Sequence, residues 1–208
     1  MKKSFFYLLS LIFSLFILCS CSLGTSDQNT PEATIKAFMK ALQNQDYSTT
    51  ETYYAENMDN MANFRNQVEV ISPHVATELF NKMSDFTYVI NDVTTDSSDS
   101  NKAIANVTIT AYDLGSSFES TVLDYIKSDI EMTFDGAKSE DIIKSIEDTL
   151  VNDIKTANTT FNTTVDIHLT NKDGSWKVDK ISDNPELLNA LSGNIIHTIN
   201  SLKQLNNK

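Results

Sequence analysis

The chain is poor in cysteine, and its only two thiols, those of Cys19 and Cys21, stand close to the N-terminus of 208 residues. Everything after Cys21 therefore lacks the side chain that forms disulfides, acts as a thiolate nucleophile or binds zinc through sulfur. That part of the chain must be stabilised by packing alone. Cysteine chemistry is excluded from its function.

Cationic side chains are also scarce. The formal net charge is −12, and Arg65 is the single arginine. Lys2 and Lys3 are the only charged residues among the first 20, so the chain without that segment carries −14. Proteins bind nucleic acid by neutralising phosphates with lysine and arginine. The composition therefore argues against a nucleic-acid partner and against electrostatic adhesion to anionic lipid.

Catalytic sequence motifs are missing as well. The chain contains no HExxH or GxSxG motif, and its three histidines, His74, His168 and His197, lack metal-ligand spacing. Tyrosines are numerous enough to serve an aspartate–tyrosine enzyme, but aromatic residues that keep the hydroxyl at the rim of a core explain them more simply. The tyrosines in question are Tyr47, Tyr53, Tyr54, Tyr88 and Tyr112. We predict no catalytic or cofactor-binding residues.

An acidic segment offers the one candidate for metal binding. Asp92, Asp96 and Asp99, with nearby serines, could present oxygen ligands to calcium. Their spacing does not match an EF-hand loop, which requires a glycine and a terminal glutamate. Because Asp, Ser and Asn favour turns through local hydrogen bonds, a solvated loop is the better interpretation. We predict no metal site.

What the chain does have is an N-terminal segment typical of export. Lys2 and Lys3 precede 15 apolar or small residues, from Ser4 to Leu18. A charged start, an apolar middle and small residues at the end make a secretory signal. A membrane-spanning helix needs about 20 apolar residues, so this stretch is too short to be one. An ordinary secretory signal with incidental cysteines is the remaining alternative.

The end of this segment resembles the lipobox of bacterial lipoproteins. The chain reads Leu18-Cys19-Ser20-Cys21, with a leucine three residues before a cysteine and small residues between them. The resemblance implies that residues 1–20 are a signal peptide, that signal peptidase II cuts before Cys21, and that diacylglycerol is attached to its sulfur. Cys19 fits less well because the bulky Leu18 would stand against the cut.

A lipidated Cys21 would fix where the protein is found. Two acyl chains hold a protein stably on a bilayer. The polar residues 22–29 would form a flexible tether that spans about 15 Å as a random coil. We therefore expect an extracytoplasmic protein bound to the cell membrane through a diacylglyceryl anchor. The low arginine content is compatible with a Gram-positive source.

Helical periodicity dominates much of the remaining chain. Thr30 and Pro31 are suited to the start of a helix whose buried face carries residues 35, 38, 39 and 42. Ser48 or Thr49 is expected to cap a second helix that contains residues 53, 54 and 58. Residues 60–84 are expected to form one or two short helices, with a break at Pro73. Further helices are predicted over 116–132 and 139–157, from Asn184 to about 191, and after Gly193.

Alternating apolar residues predict antiparallel strands. One strand covers 86–93, and a second strand, expected to pair with it as a hairpin, contains Ile104, Val107, Ile109 and Ala111. A third strand covers 165–169 and turns at 172–175 into a return strand that starts at Trp176. The pattern as a whole predicts one α+β domain over residues 30–208.

Two segments resemble the NTF2-like (cystatin-like) domains of small bacterial lipoproteins. The first runs from Thr30-Pro31-Glu32 to Tyr53-Tyr54, and the second is Asp173-Gly174-Ser175-Trp176-Lys177-Val178. The resemblance implies N-terminal helices packed on a curved antiparallel sheet around a cone-shaped cavity. Residues 116–158 would then be a helical insertion, and a C-terminal helix would follow the sheet.

The leading functional hypothesis is a non-enzymatic, membrane-anchored binding or interaction module. Its partner would be a small apolar ligand, a peptide or another envelope protein. The alternative is a lipid-anchored isomerase, dehydratase or hydrolase that works inside the cone. The cavity discriminates between them: an open apolar cavity favours binding, and an Asp/His/Tyr cluster favours catalysis. A filled core would exclude both.

The lipidation of Cys21 can be tested directly. We expect Cys21→Ala to leave the precursor uncleaved and to abolish labelling by radioactive fatty acid, because the acceptor sulfur is gone. Cys19→Ala is the matched control and should be processed and labelled normally. Undiminished labelling of Cys21→Ala would refute the assignment.

Overall fold

The computed structural model describes residues 29–123, 139–158 and 160–205. The predicted signal peptide, Cys21 and the tether up to Gln28 lie outside these ranges, as does the predicted helical pattern over 124–132. The helices are α1 (Pro31–Gln43), α2 (Tyr47–Thr52), α3 (Asp59–Ile71), α4 (Pro73–Ser84), α5 (114–123), α6 (Ser139–Thr156), α7 (Pro185–Leu191) and α8 (Ile195–Leu205). The strands are β1 (Thr87–Thr95), β2 (Lys102–Ala111), β3 (Phe161–Lys172) and β4 (Ser175–Val178).

The fold is α+β, as the sequence predicts. The four strands form an open antiparallel sheet in the order β1-β2-β3-β4. Helices α5 and α6 lie between β2 and β3 along the chain, and α7 and α8 follow β4. No helix in the described ranges combines the length and the apolar character that a bilayer crossing requires.

Helix α1 begins and packs as its sequence predicts. The Thr30 hydroxyl accepts a hydrogen bond from the backbone N–H of Ala33 (3.2 Å), and Pro31 occupies the first turn, where its missing N–H costs nothing. Ile35, Phe38 and Met39 are at most 3% exposed and belong to the main hydrophobic core. The helix therefore contributes one apolar stripe to the sheet.

The prediction for the second helix is wrong in both its cap and its length. Asp46, and neither Ser48 nor Thr49, is the cap, and its carboxylate accepts bonds from the Thr49 N–H (3.0 Å) and hydroxyl (2.6 Å). These bonds lower the pKa of Asp46. Helix α2 ends at Thr52, so residues 53, 54 and 58 lie beyond it.

The helix ends there because the chain pairs with the edge of the sheet instead. The carbonyl of Tyr53 accepts from the N–H of Val178 (2.8 Å), and the N–H of Ala55 donates to the carbonyl of Val178 (2.8 Å). Tyr54 thereby forms a short parallel bridge with β4. The pairing satisfies backbone groups that the end of the helix leaves without intrahelical partners.

The inner face of the sheet is built from small and branched residues. Helices α1 and α7 cover this face through Ile35, Phe38, Leu187 and Ala190. Ile104 does not belong to it and is 42% exposed. Strand alternation places the odd-numbered side chains of β2 inward, so residue 104 faces away from its neighbours in the core. The inward residues of β2 are Ala103, Ala105, Val107, Ile109 and Ala111.

A bulge explains the spacing of the apolar residues in β1. The pairing register with β2 shifts between Ile90 and Asp92, which leaves Asn91 as the extra residue. Because a bulge inserts one residue, the inward alternation restarts after it. Ile90 and Val93, three positions apart, consequently both pack against the core.

Asn29, the first described residue, is fastened to the β3–β4 turn. Its side-chain oxygen accepts from the N–H of Trp176 (3.3 Å), and its amide donates to the carbonyl of Gly174. The chain therefore enters the fold beside the turn of this hairpin. From there it continues into α1.

Asn184 connects β3 to the segment that leads into α7. It is 2% exposed. Its side-chain oxygen accepts from the backbone N–H of His168 (2.8 Å), and its amide donates to the carbonyl of Asp179 (2.9 Å). Removal of this side chain would leave the N–H of His168 and the carbonyl of Asp179 without these hydrogen bonds. A lost bond to a buried group costs more than the bond contributes, because the group stays desolvated.

We expect Asn184→Ala to lower the free energy of unfolding by about 2–3 kcal/mol, since it leaves two backbone groups unpaired. Urea denaturation of the chain from Ser22 onward would measure this. Asn162→Ala is the matched control: its amide bonds Thr110 (3.1 Å) on the exposed face of the sheet, so its cost should stay below about 0.5 kcal/mol. Equal losses for the two variants would contradict the role given to Asn184.

Candidate functional site

A cavity of about 670 Å³ lies among the helices. Volumes of this size are typical of sites that hold small ligands. Its walls come from the helices, from the segment after α2 and from the 3-10 turn Ile181–Asp183, and strands β1–β4 contribute no lining residue. The apolar lining residues are Phe38, Leu42, Tyr54, Met58, Met61, Phe64, Val68, Val75, Leu79, Met83, Leu114, Phe118, Leu150, Ile154, Ile181, Leu188, Leu191, Ile195, Ile196 and Ile199.

The floor of the cavity is a second hydrophobic cluster. Val75 and Leu79 of α4, Leu114 of α5 and Ile154 of α6 are at most 9% exposed and pack together. Ser72 fixes the start of α4: its hydroxyl accepts from the N–H of Val75 (3.1 Å) and donates to Glu147 of α6. The hydrogen bond between Ser72 and Glu147 and the packing of the apolar cluster thus join α4 and α6 beside the cavity.

The walls are apolar but only half buried. Met61, Met83 and Leu188 are examples, and each has part of its side chain in contact with the cavity. Methionine is flexible and polarisable, so it adapts to ligands of irregular shape. An apolar cavity excludes ordered water and takes up apolar molecules instead. The lining is therefore suited to apolar contacts of low geometric specificity.

Polar groups occur at the solvent-exposed rim. Glu56, Asn57 and Ser182 line the cavity and are exposed. The hydroxyl oxygen of Tyr54 accepts a hydrogen bond from the N–H of Ile181 (2.9 Å), which ties the segment after α2 to the 3-10 turn. Burial raises the pKa of Tyr54, and the carboxylates of Glu56 and Asp183 raise it further.

The structure does not bring the candidate tyrosines and histidines together. Of the five tyrosines only Tyr54 lines the cavity, and Tyr112 instead donates to Asp85 (2.8 Å), whose carboxylate raises the Tyr112 pKa. His74, His168 and His197 are exposed, and none of them lines the cavity.

The acidic segment 92–101 satisfies its carboxylates locally. Asp96 accepts from the N–H (2.7 Å) and hydroxyl (2.6 Å) of Ser98, bonds that lower its pKa. Asp99 accepts from the N–H of Asn101 (3.0 Å). Throughout the residues that the structure describes, no group of three acidic, histidine or cysteine side chains is arranged to hold a metal ion.

Two glycines let the cavity helices approach each other. The N–H of Gly115 in α5 donates to the carbonyl of Gly193 in the α7–α8 turn (2.8 Å). Gly193 has φ +57°, and a Cβ there would stand 1.9 Å from the carbonyl oxygen of Tyr112. A Cβ on Gly115 would meet the Thr198 hydroxyl at 2.7 Å. This crossing sets where α8 stands relative to α5, and with it the width of the cavity.

The lining residues from α3, from the segment after α2 and from the 3-10 turn are not predicted above as parts of a site. Met61, Phe64 and Val68 of α3 follow the i, i+3, i+7 spacing of one helical face, which was a usable signal. Glu56 and Ser182 lie in irregular segments. Periodicity carries no information there.

No family model matches this chain, and no curated protein matches it. Among solved structures it is similar to the crystal structure of a putative lipoprotein (ycdA) from Bacillus subtilis subsp. subtilis str. 168, with a TM-score of 0.49 and 16% sequence identity. The likeness covers 76% of this chain and 54% of the other, so this chain spans about half the length of that protein. At this identity and TM-score, no ligand or activity follows from the likeness.

A matched pair of glycine variants tests the helix crossing. We expect Gly193→Ala to destabilise the fold by about 3 kcal/mol or more, since its methyl group collides with backbone and the residue keeps φ positive. Gly174→Ala has φ +80° but nothing within 4 Å of its Cβ, so it should cost about 1 kcal/mol. Urea denaturation measures both. Equal costs would show that the crossing is not tight.

Proposed function

We propose that this chain is a lipid-anchored, extracytoplasmic binding protein that takes an apolar ligand into the cavity among its helices. The observation that carries the proposal is the cavity of about 670 Å³ with its apolar walls. In a domain without disulfides, such a volume weakens the core, because every unfilled contact forfeits packing energy. Occupation by a ligand would restore those contacts.

The expected affinity follows from the apolar surface that a ligand covers. Burial of about 400 Å² on the two partners gains about 10 kcal/mol at about 25 cal/mol per Å². Loss of rigid-body freedom offsets about 4 kcal/mol or more. The remainder corresponds to a dissociation constant of about tens of micromolar. Single alkyl chains and apolar peptide side chains fall within this range.

The lining favours binding over catalysis. Among the described lining residues, the ionisable side chains are those of Glu56 and Tyr54, which lie at the rim and at the bridge to the 3-10 turn. General acid–base catalysis needs two groups poised around a reacting atom. The walls around the ligand volume are aliphatic and aromatic. For these reasons we propose a non-enzymatic module.

The proposed anchor rests on the N-terminal sequence. Lys2 and Lys3, the apolar stretch and Leu18-Cys19-Ser20-Cys21 support a diacylglyceryl-modified Cys21. Seven residues, 22–28, would then connect Cys21 to Asn29 at the β3–β4 turn. The domain would be held within about 15 Å of the bilayer surface.

An NTF2-like fold is part of the proposal. Support comes from a helix that precedes the sheet and packs on its inner face, and from Trp176 at the start of the last strand. The location of the cavity is a departure from the expected cone, since helices and not strands enclose it.

Filling the cavity tests the proposed function. We expect an uncharged fluorescent probe of the naphthylamine type to bind the chain from Ser22 onward saturably, at one site. Met61→Trp should weaken this binding by about tenfold or more, because the indole occupies the ligand volume. Leu188→Trp, on the opposite wall, should act in the same way.

The matched control lies on the same helix. Val70→Trp adds the same bulk at a position that is 87% exposed and outside the cavity, so probe affinity should not change. Thermal unfolding of all three variants verifies that they remain folded. Unaltered probe affinity in both folded filling variants, or no saturable binding by the parent chain, would contradict the proposal.

A further inference from the structure

The rim of the cavity is acidic. Glu56 lines it, and Asp183 lies close enough to raise the pKa of Tyr54 together with Glu56. Two further carboxylates flank the segment after α2: Glu51 of α2 accepts from the N–H of Met58 (2.7 Å), and Asp59 at the start of α3 accepts from the amide of Asn57 (2.8 Å). Met58 and Asn57 are themselves lining residues. One carboxylate therefore lines the cavity, and three others lie beside its lining residues.

Cationic side chains near these carboxylates are fewer, and one of them, Lys177, is hydrogen-bonded to backbone carbonyl groups. None of the described lining residues is cationic. The ammonium group of Lys177 donates to the backbone carbonyls of Thr52 (2.7 Å) and Glu51 (3.5 Å) at the end of α2. Lys180 is exposed next to the 3-10 turn. The four carboxylates outnumber these two ammonium groups, so the six side chains together carry a net charge of −2.

The interior offers an anionic group no compensation. Tyr54 and Ser192 are the buried lining residues of the described chain that carry a hydroxyl, and neither is cationic; the Ser192 hydroxyl donates to the carbonyl of Asn189 (3.2 Å). A carboxylate or phosphate that entered the cavity would be desolvated without a cationic partner, which is strongly unfavourable. At the rim it would face like charge. Both locations disfavour a negative head group.

We infer that the ligand is an amphiphile whose polar end bears no negative charge, with its apolar part in the cavity and its head group at Glu56, Asn57 and Ser182. This inference rests on the proposed function. A cationic head group gains attraction from the carboxylates. A neutral head group can hydrogen-bond to the exposed side chains of the same three residues.

Tyr54 adds a donor to this rim. Its hydroxyl oxygen already accepts from Ile181, so the hydroxyl proton is available to an acceptor atom of a ligand. Because burial and the neighbouring carboxylates raise its pKa, this hydroxyl keeps its proton at neutral pH. Ether, ester, amide and alcohol oxygens are suitable acceptors.

Three amphiphiles with ten carbon atoms each test the inference. Decylamine, decanol and decanoate are added, below their critical micelle concentrations and at neutral pH, to the chain from Ser22 onward loaded with the uncharged fluorescent probe. This chain contains every helix and strand of the described fold. We expect displacement to be strongest for decylamine, intermediate for decanol and weakest for decanoate. The ratio of the decylamine and decanoate affinities should be about tenfold or more at low salt.

A pair of charge variants separates the rim from the overall charge of the chain. Glu56→Gln should reduce that ratio about threefold, the size expected for one exposed ion pair. Asp166→Asn removes the same charge from the outer face of the sheet, where the new side chain can still accept the hydrogen bond from Asn106. This control should leave the ratio unchanged within about 1.5-fold.

The outcomes distinguish the inference from the function beneath it. Binding of decanoate as tight as that of decanol would overturn the charge inference while leaving the proposed cavity function intact. Equal effects of Glu56→Gln and Asp166→Asn would likewise overturn the role of the rim. Failure of all three amphiphiles to displace the probe would overturn the proposed function as well.

Discussion

The packing of α1 and α7 on the inner face of the sheet is the contact on which the rest of the structure depends. No disulfide is available to this part of the chain, so burial of apolar side chains must hold it together. Ile35, Phe38 and Leu187 meet a face of alanines and branched residues. The small side chains let the helices approach closely. This first layer is filled, and it gives the outer helices a rigid support.

The second layer is built differently. Residues of α3, α4, α5, α6 and α8 pack in the cluster around Leu79, Leu114 and Ile154, and the same five helices line the cavity. The opening lies where methionines and half-buried aliphatic residues meet a rim of carboxylates. Binding involves both layers, since Phe38 and Leu42 of α1 and Leu188 and Leu191 of α7 line the cavity together with the outer helices.

Local signals in the sequence predict much of this fold, and non-local contacts account for the errors. The start of α1, the break at Pro73 and the β3–β4 turn depend on neighbouring residues, and all three agree with the structure. The sequence predicts a helix over Tyr53 and Tyr54, whereas the structure pairs this segment with Val178, which is remote in the chain. The cavity was no more predictable. Periodicity identifies an apolar face, but whether several such faces close against each other depends on side-chain volumes and crossing angles.

The hydrogen bonds of Asn29 have a mechanical consequence. Any pull transmitted along the preceding segment meets this residue before it reaches α1. The load then falls first on two bonds to the β3–β4 turn, at Gly174 and Trp176. The bond to Gly174 is exposed, and the bond to Trp176 is part-buried. Opening of these two bonds would thus precede any displacement of α1, which packs on the inner face of the sheet.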